Sequence, residues 1–373
     1  MARLVFWLST VLLVWTQALY GPFLLTLRRL RGDARASAAP PAAAPRVSLI
    51  VAAYREEAVI AAKVANALGL DWPRDRLELI VAVDGAADDT AERARAAGAD
   101  RVLELPRGGK VRAQDAAVRA ASGDLLAFSD ANALWAPDAL VALTTVFEDP
   151  AVGYACGQVR FVNDAGTNQE GVYWRYELWL RAQESALASV TGGNGAIYAV
   201  RPEAYLELDP IMGHDLSLPF NLVKRGWRAV YAPEAVATEK MVPSIEGEWR
   251  RKRRMMSHAW PIVLRGGLLS PRGYPPLYAL MIASHRVLRY ATPGLHALTA
   301  AATVALWRRP LYRAAAAAQL ALLAAALAGG KVPSRPLLLA RYYVLTTAAL
   351  AGGLYDHLRH GTSAGWEAPE GTR

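Results

Sequence analysis

Leu125-Leu126-Ala127-Phe128-Ser129-Asp130-Ala131-Asn132 is an apolar run that stops at a carboxylate. A strand buried on both faces of a parallel sheet reads as such a continuous run. In open α/β sheets the ligand site lies beyond the carboxyl ends of the strands. Asp130 is therefore expected at the rim of a site. Asp130 and Asn132 carry side-chain oxygens two residues apart. Such a pair suits a hard cation, Mg²⁺ or Mn²⁺, held against a diphosphate. It equally suits an Asx turn that closes a strand.

The same pattern recurs upstream. Residues 47–52 and 77–83 read as buried strands, the second ending at Asp84-Gly85, and 102–105 as a third, short strand. Between them, 56–68 reads as a helix with acids in its first turn, and Asp88 opens another as its cap. Residues 110–121 are helical and lead into 125–129. Alternating strands and helices at this spacing predict an α/β fold with a mostly parallel, doubly wound sheet. Glu56, Asp84 and Asp130 each follow a strand and should gather on one edge.

Downstream the pattern is mixed. Residues 152–161 are strand-like, and 171–188 form a helix carrying Trp174, Tyr176 and Trp179. Gly192-Gly193-Asn194-Gly195 precedes a strand over 196–200. It is either a close backbone approach to a ligand or an ordinary hairpin turn. Gly213-His214-Asp215 opens a helix to about Arg225, 227–231 is a short strand, and 246–259 is a helix holding Arg250, Arg251, Lys252, Arg253 and Arg254.

The chain has 373 residues and a formal charge of 42 − 33 = +9. That excess fits anionic lipid or phosphate ligands. No basic run is interleaved with aromatics as in a single-strand binder, so nucleic acid is not expected as a partner. Cys156 is the only cysteine, which excludes an intrachain disulfide and a cysteine-based zinc site. The hydrophobic share of 53% is high for a soluble protein. Residues 4–27 are uncharged and apolar, long enough for one membrane-spanning helix, and Arg28, Arg29, Arg31 and Arg35 follow. By the positive-inside rule the next domain is cytoplasmic. The length of the run and these arginines speak against a cleaved signal peptide. A Pro/Ala linker over 38–45 comes next. Past Pro271, residues 277–290 read as an interfacial helix with His285, Arg286 and Arg289, and 293–307, 314–327 and 336–355 are further apolar stretches. The simplest topology puts Arg308, Arg309 and Arg313 outside, against the positive-inside rule. The tail from Gly361 is expected to be disordered. The resulting boundaries are 1–30 for the first membrane helix, 31–45 for the linker, 46–260 for the α/β domain, 261–292 for interfacial helices, 293–357 for C-terminal membrane helices and 358–373 for the tail.

The strings Val47-Ser48-Leu49-Ile50-Val51-Ala52-Ala53-Tyr54-Arg55-Glu56-Glu57, Val83-Asp84-Gly85-Ala86-Ala87-Asp88-Asp89-Thr90 and Phe128-Ser129-Asp130-Ala131-Asn132 fall in an order that resembles the nucleotide-binding half of family 2 glycosyltransferases, which have the GT-A fold. Gly192-Gly193-Asn194-Gly195-Ala196-Ile197-Tyr198, the Asp215 segment and Glu248-Trp249-Arg250-Arg251-Lys252-Arg253-Arg254 resemble that family's acceptor-side motifs. The resemblance covers about Arg46 to Met256. The flanking apolar segments resemble the membrane-embedded branch that includes cellulose, hyaluronan and poly-N-acetylglucosamine synthases.

The high alanine content points to a GC-rich bacterial genome, and the apolar stretches to a multi-pass protein of the cell inner membrane. The resemblance implies transfer of a sugar with inversion from a UDP-sugar to a lipid-linked or glycan acceptor. It gives the donor to Ala53, Glu56, Asp84, Lys110, Asp130, Arg251 and Arg254, the acceptor to Gly193, Asn194, Gly195 and His214, the metal to Asp130 and Asn132, and the general base to Asp215. Each has a plainer role open to it: Asp84 as a turn residue, Glu56 as a helix cap, Lys110 as a solvated helix start, His214 as a helix-start residue, the basic helix as a membrane-surface patch. Asn132 stands where the family has a second aspartate. The Gln-x-x-Arg-Trp string of processive synthases is absent, so single addition and processive synthesis with export both stay open. A membrane nucleotide sensor without catalysis is the alternative from another class. Trp174, Trp179, Trp249 and Trp260 either bound an acceptor channel or pack in the core.

Overall fold

The computed structural model describes residues 1–32, 44–85, 87–162, 172–240, 245–332 and 334–365. Most of the expected linker and the last eight residues lie outside them.

The chain opens with α1, Ala2–Arg31. An α/β alternation follows: β1 Val47–Ala53, α2 Ile60–Leu68, β2 Leu77–Asp84, α3 Thr90–Ala96, β3 Arg101–Leu105, α4 Lys110–Ala120, β4 Leu125–Asp130, β5 Leu134–Trp135 and α5 Ala139–Thr145. The second half contributes β6 Val152–Val162, α6 Val172–Leu187, β7 Ile197–Val200, α7 His214–Lys224, β8 Arg228–Lys240 and α8 Ile245–Leu264. One long helix, α9 (276–305), then precedes α10 Pro310–Ala328 and α11 Arg335–His360.

The described strands form one sheet in the order β3-β2-β1-β4-β7-β6-β8-β5. Strands β3, β2, β1 and β4 pair in parallel, with β1 and β2 buried along their whole length and β3 at the part-exposed edge. Beyond β4 the sheet is mixed: β7 runs antiparallel to β4 and β6, while β6 and β8 are parallel. Alternate residues of β1 feed two cores, Ile50 and Ala52 on one face and Leu49, Val51 and Ala53 on the other. In register, Ala53 faces Val83 and Ala52 faces Asp130, so the acidic tips share one edge as expected.

The structure changes several expected elements. Strand β8 runs far past Tyr231, because 232–235, including Pro233, bulge out between the pairs Cys156↔Tyr231 and Gln158↔Val236. A proline there hides the continuation in the sequence. The short β5 and α5 are additions. Residues 277–290 and 293–307, expected as separate segments, join in α9, which carries a π-helical turn at Ile282–Val287 and Pro293 in its interior.

The polar residues of α9 also point inward. His285, 3% exposed, sits between two carboxylates of α6, with Nδ1 2.7 Å from Glu184 Oε1 and Nε2 3.3 Å from Glu177 Oε2. Arg289 donates to Glu177 at 2.5 Å. Tyr20 of α1 donates to Glu184 at 2.7 Å, while Trp15 and Thr16 donate to the Ser284 hydroxyl and carbonyl, each at 2.8 Å. Burial alone would raise the carboxylate pKa values. For Glu177 the Arg289 guanidinium and His285 outweigh burial and hold it well below the usual range, and for Glu184 His285 leads the same reversal. Helices α1, α10 and α11 are long and apolar enough to cross a membrane.

His285→Ala removes one partner of a buried charged cluster, a change that typically costs about 3–5 kcal/mol. A thermal shift of the detergent-solubilised protein should show the loss. The cluster's stabilisation is present above the ordinary carboxylate pKa of about 4.5 and is lost as pH falls through the depressed native values, so acidification should narrow the gap between variant and wild type.

Candidate active site

Asp84, at the tip of β2, is 2% exposed. A buried carboxylate needs donors, and the segment after β3 supplies them. Gly108 N–H donates to Oδ1 at 2.6 Å, Gly109 N–H reaches Oδ2 at 3.0 Å, and Arg107 forms an ion pair with Oδ2. The Arg107 guanidinium also lies 3.4 Å from the centre of the Tyr54 ring, just beyond β1. Gly109 adopts φ +95°, where glycine is favoured, and a Cβ there would overlap the Ala364 carbonyl. The C-terminal segment thus rests on this loop. Thr362 donates to Ser257 O at 3.0 Å and His258 Nε2 lies 3.2 Å from Ser363 O. Residues 361–365, expected to be disordered, are packed. Sequence reading passed over Arg107, whose only signal is its place beside Gly108-Gly109.

Asp130 pairs with Lys110, the first residue of α4. Asn132 follows in a turn closed by Ala133 N–H donating to Asp130 O at 3.2 Å. Beneath that turn lies Lys63, fully buried on α2, which donates to Ala133 O at 2.7 Å and sits 5.1 Å from the Trp135 ring centre. Burial pushes its pKa down to about 7, against the pull of Asp130 and Glu239. Glu239, near the end of β8, is pushed up to about 7 by burial and by Asp130. Neither Lys63 nor Glu239 stands out in the sequence. Lys63 lies mid-helix among alanines, and Glu239 lies beyond the bulge that hides the end of β8.

The glycine loop comes to the same place. A Cβ on Gly195 would lie 3.0 Å from Lys110 Nζ and 3.7 Å from Asp130 Oδ2. Gly193 N–H donates to Asp215 O at 2.7 Å, which ties the loop to the start of α7. Asn194 is turned inward: its Nδ2 donates to Gly157 O at 2.7 Å and its Oδ1 accepts from Ala196 and Ile197 N–H. Its amide therefore shapes the loop. Arg181, also unforeseen, donates to Gly193 O at 3.1 Å.

His214 takes the plainer of its two roles. It is 4% exposed, its Nδ1 shares a hydrogen bond with Tyr198 Oη at 2.8 Å, and Phe128, Tyr198 and Tyr205 pack edge-on around it. Burial, and then Lys110, push its pKa down to about 3, so it is a neutral core residue. Asp215, half-buried, sits in the first turn of α7, where the helix N-terminus favours its charge.

Ala53 is buried at the end of β1. Glu56 is buried in the turn before α2, its N–H donating to Thr90 Oγ1 at 2.8 Å, so the helix begins later than expected, at Ile60. On α8, Arg251 and Arg254 are half-buried, and the charge of Arg251 acts on Glu239. Arg253 makes a two-pronged pair with Asp356 of α11 at 2.7 and 2.6 Å, which removes it from any headgroup-facing role. Trp260 is in the core, donating to Leu350 O at 3.0 Å. Trp174 donates to Val159 O at 3.2 Å and Trp179 stacks on Tyr176.

One rim therefore holds two strand-tip carboxylates, a lysine, a glycine loop, a helix-start aspartate and an arginine helix. Residues 45–257 match the family model described as glycosyltransferase like family 2. The chain belongs to that family. Among curated relatives, an N-acetylglucosaminyltransferase of Rhizobium leguminosarum bv. viciae is 28% identical over 231 residues, 56% of this chain and 54% of the relative. A beta-monoglucosyldiacylglycerol synthase of Trichormus variabilis is 28% identical over 232 residues, 56% and 48% of the two chains. The chain spans about half the length of these relatives. Among solved structures, a mannosyltransferase from Pyrobaculum calidifontis in complex with GDP-Man and Mn²⁺ superposes with a TM-score of 0.71 at 24% identity, covering 94% of this chain and 99% of that one. It shares the GT-A fold with this family 2 glycosyltransferase.

Asp84→Asn puts an amide where two backbone N–H groups and a guanidinium need an acceptor. Leaving such donors unpaired costs about 1–3 kcal/mol. Faster hydrogen exchange at Gly108 and Gly109 than in wild type is the expected reading.

Proposed function

We propose that this glycosyltransferase moves a sugar from a UDP-sugar to a lipid-linked or polysaccharide acceptor at the cytoplasmic face of a bacterial inner membrane. The observation that carries the reading is the meeting of Asp84, Asp130, the Gly195 approach and Asp215 on one sheet edge. Asp84 and the Arg107–Gly109 segment would receive the base and ribose, Ala53 and Glu56 flanking them. Donor binding exchanges the internal bonds of Asp84 for bonds to the nucleotide.

The donor set at Asp130 suits a divalent ion. It already holds a cation, the Lys110 ammonium, and Asn132 adds an amide oxygen with no hydrogen bond among the described residues. Carboxylate and amide oxygens are the ligands that Mg²⁺ and Mn²⁺ take. Asp130 and Asn132 would hold the ion, which when bound neutralises the diphosphate. Lys110, Arg251 and Arg254 add positive charge on the same leaving group, and guanidinium forks fit phosphate oxygens.

Asp215 would remove the proton of the acceptor hydroxyl. That oxygen then attacks the anomeric carbon, the bond from this carbon to the phosphate oxygen breaks, and UDP departs with the bonding pair. One displacement inverts the configuration. Gly193 positions the acceptor through its bond to the Asp215 backbone. The relative named beta-monoglucosyldiacylglycerol synthase supports an acceptor at or near the membrane, as do α1, α10 and α11.

The test is UDP release from a panel of UDP-sugars by the full chain in nanodiscs containing membrane lipid extract, with and without Mn²⁺. Asp215→Asn should lower kcat by about 10²- to 10⁴-fold, the range for a placed general base, and leave UDP binding unchanged. Asp130→Ala should abolish the response to metal. No release from any donor, together with no UDP binding, would overturn the reading.

A further inference from the structure

Three oxygen-bearing side chains border the turn after β4. Asp130 is satisfied by one ammonium, Lys110. Asn132 makes no side-chain hydrogen bond among the described residues. Glu239 is the third. The pairing of β5 with β8 sets Leu134 opposite Thr238, so the next position along, Glu239, falls beside Ala133 in this same turn. It is half-buried, yet it forms neither a hydrogen bond nor a salt bridge among the described residues. The nearby cations are engaged elsewhere: Lys63 on the Ala133 carbonyl, Lys110 on Asp130, and Arg251 with Met255 Sδ at 3.2 Å.

Leaving a carboxylate in a half-buried site without a partner is costly. Asp130 adds like-charge repulsion, which Lys110, Arg251 and Lys63 oppose only from a distance. None of these cations pairs directly with Glu239, whereas a divalent cation bound between it and Asp130 would. The sequence also lacks one charge at this place, since Asn132 is neutral.

We infer that Glu239 is a third oxygen ligand of the divalent cation, supplying from β8 the second carboxylate that Asn132 does not provide. Asp130, Asn132 and Glu239 then offer two charged ligands and one neutral one, and donor phosphate oxygens complete the shell. Lys63, under the turn, fixes the Ala133 carbonyl and so holds Asn132 in place. This rests on the donor-site reading above.

Mn²⁺ binding in the presence of UDP tests it, read from the electron paramagnetic signal of free Mn²⁺ with the full chain in nanodiscs. Outer-shell substitutions already cost about 10- to 100-fold in metal affinity, so Glu239→Gln, which removes a direct charged ligand, should cost at least about tenfold. Adding Asn132→Asp to Glu239→Gln returns a carboxylate to the site and should restore most of the loss, which a purely structural role for Glu239 would not allow. Unchanged affinity in Glu239→Gln overturns the inference and leaves the donor site standing. A loss that Asn132→Asp fails to rescue overturns it too. Absence of Mn²⁺ binding in wild type with UDP overturns both readings.

Discussion

In-register parallel pairing of β1 with β2 and β4 is the constraint on which the rest depends. With Ala53 opposite Val83 and Ala52 opposite Asp130, both strand-tip carboxylates emerge at the same edge of the sheet, two positions apart in register. Shifting a strand by one residue would exchange its two faces. Ser48, which accepts from Gly123 N–H and donates to Glu78 at the opposite end of the strands, would then be thrust into the apolar face. Burial on both faces therefore fixes the register, and the register fixes the site.

Bringing carboxylates to one edge creates an electrostatic problem, and the chain solves it with a single segment. Arg107 to Lys110 covers both tips, Arg107, Gly108 and Gly109 on Asp84 and Lys110 on Asp130. Without these partners the two charges would be partly desolvated and repel each other. Backbone amides serve Asp84 better than further side chains, since they bring donors without ordering another long side chain. The solution is also replaceable, because a nucleotide's hydroxyls and a metal ion offer the same kinds of partner. The carboxylate left outside this arrangement is Glu239.

The parallel half was legible because its central strands β1, β2 and β4 are mostly apolar runs, two of them ending in an acid, Asp84 and Asp130. The mixed half was less so. Strand β8 is split by a bulge at Pro233, and β5 has two residues, too few for any periodic signal. Asp84, Asp130 and Lys110 were found at the rim where resemblance put them. For Asn194 and His214, both left with two readings, the structure shows where their hydrogen bonds go: on Gly157 and the 196–197 amides for one and on Tyr198 for the other. Sequence shows that a group is polar and not which partner satisfies it. Arg107, Lys63 and Glu239 were missed because their meaning lies in tertiary contacts across 20 or more residues.

The same reasoning changes the meaning of the first helix. By composition α1 is a helix long and apolar enough to cross a membrane, whose only requirement would be to be apolar. Its Tyr20, Trp15 and Thr16, however, donate to Glu184 and Ser284. Glu184 in turn accepts from Thr191 through both its N–H and its hydroxyl, at 3.2 and 2.9 Å, at the start of the glycine loop. Arg286 braces that loop from α9 by donating to the Thr191 hydroxyl and carbonyl. A group of buried polar bonds thus runs from α1 to the loop that meets Asp215. An apolar interface would hold α1 in place with tolerance for sliding. Directional bonds to a buried carboxylate permit one depth and one rotation. The position of the glycine loop is therefore set with respect to α1 as well as the sheet.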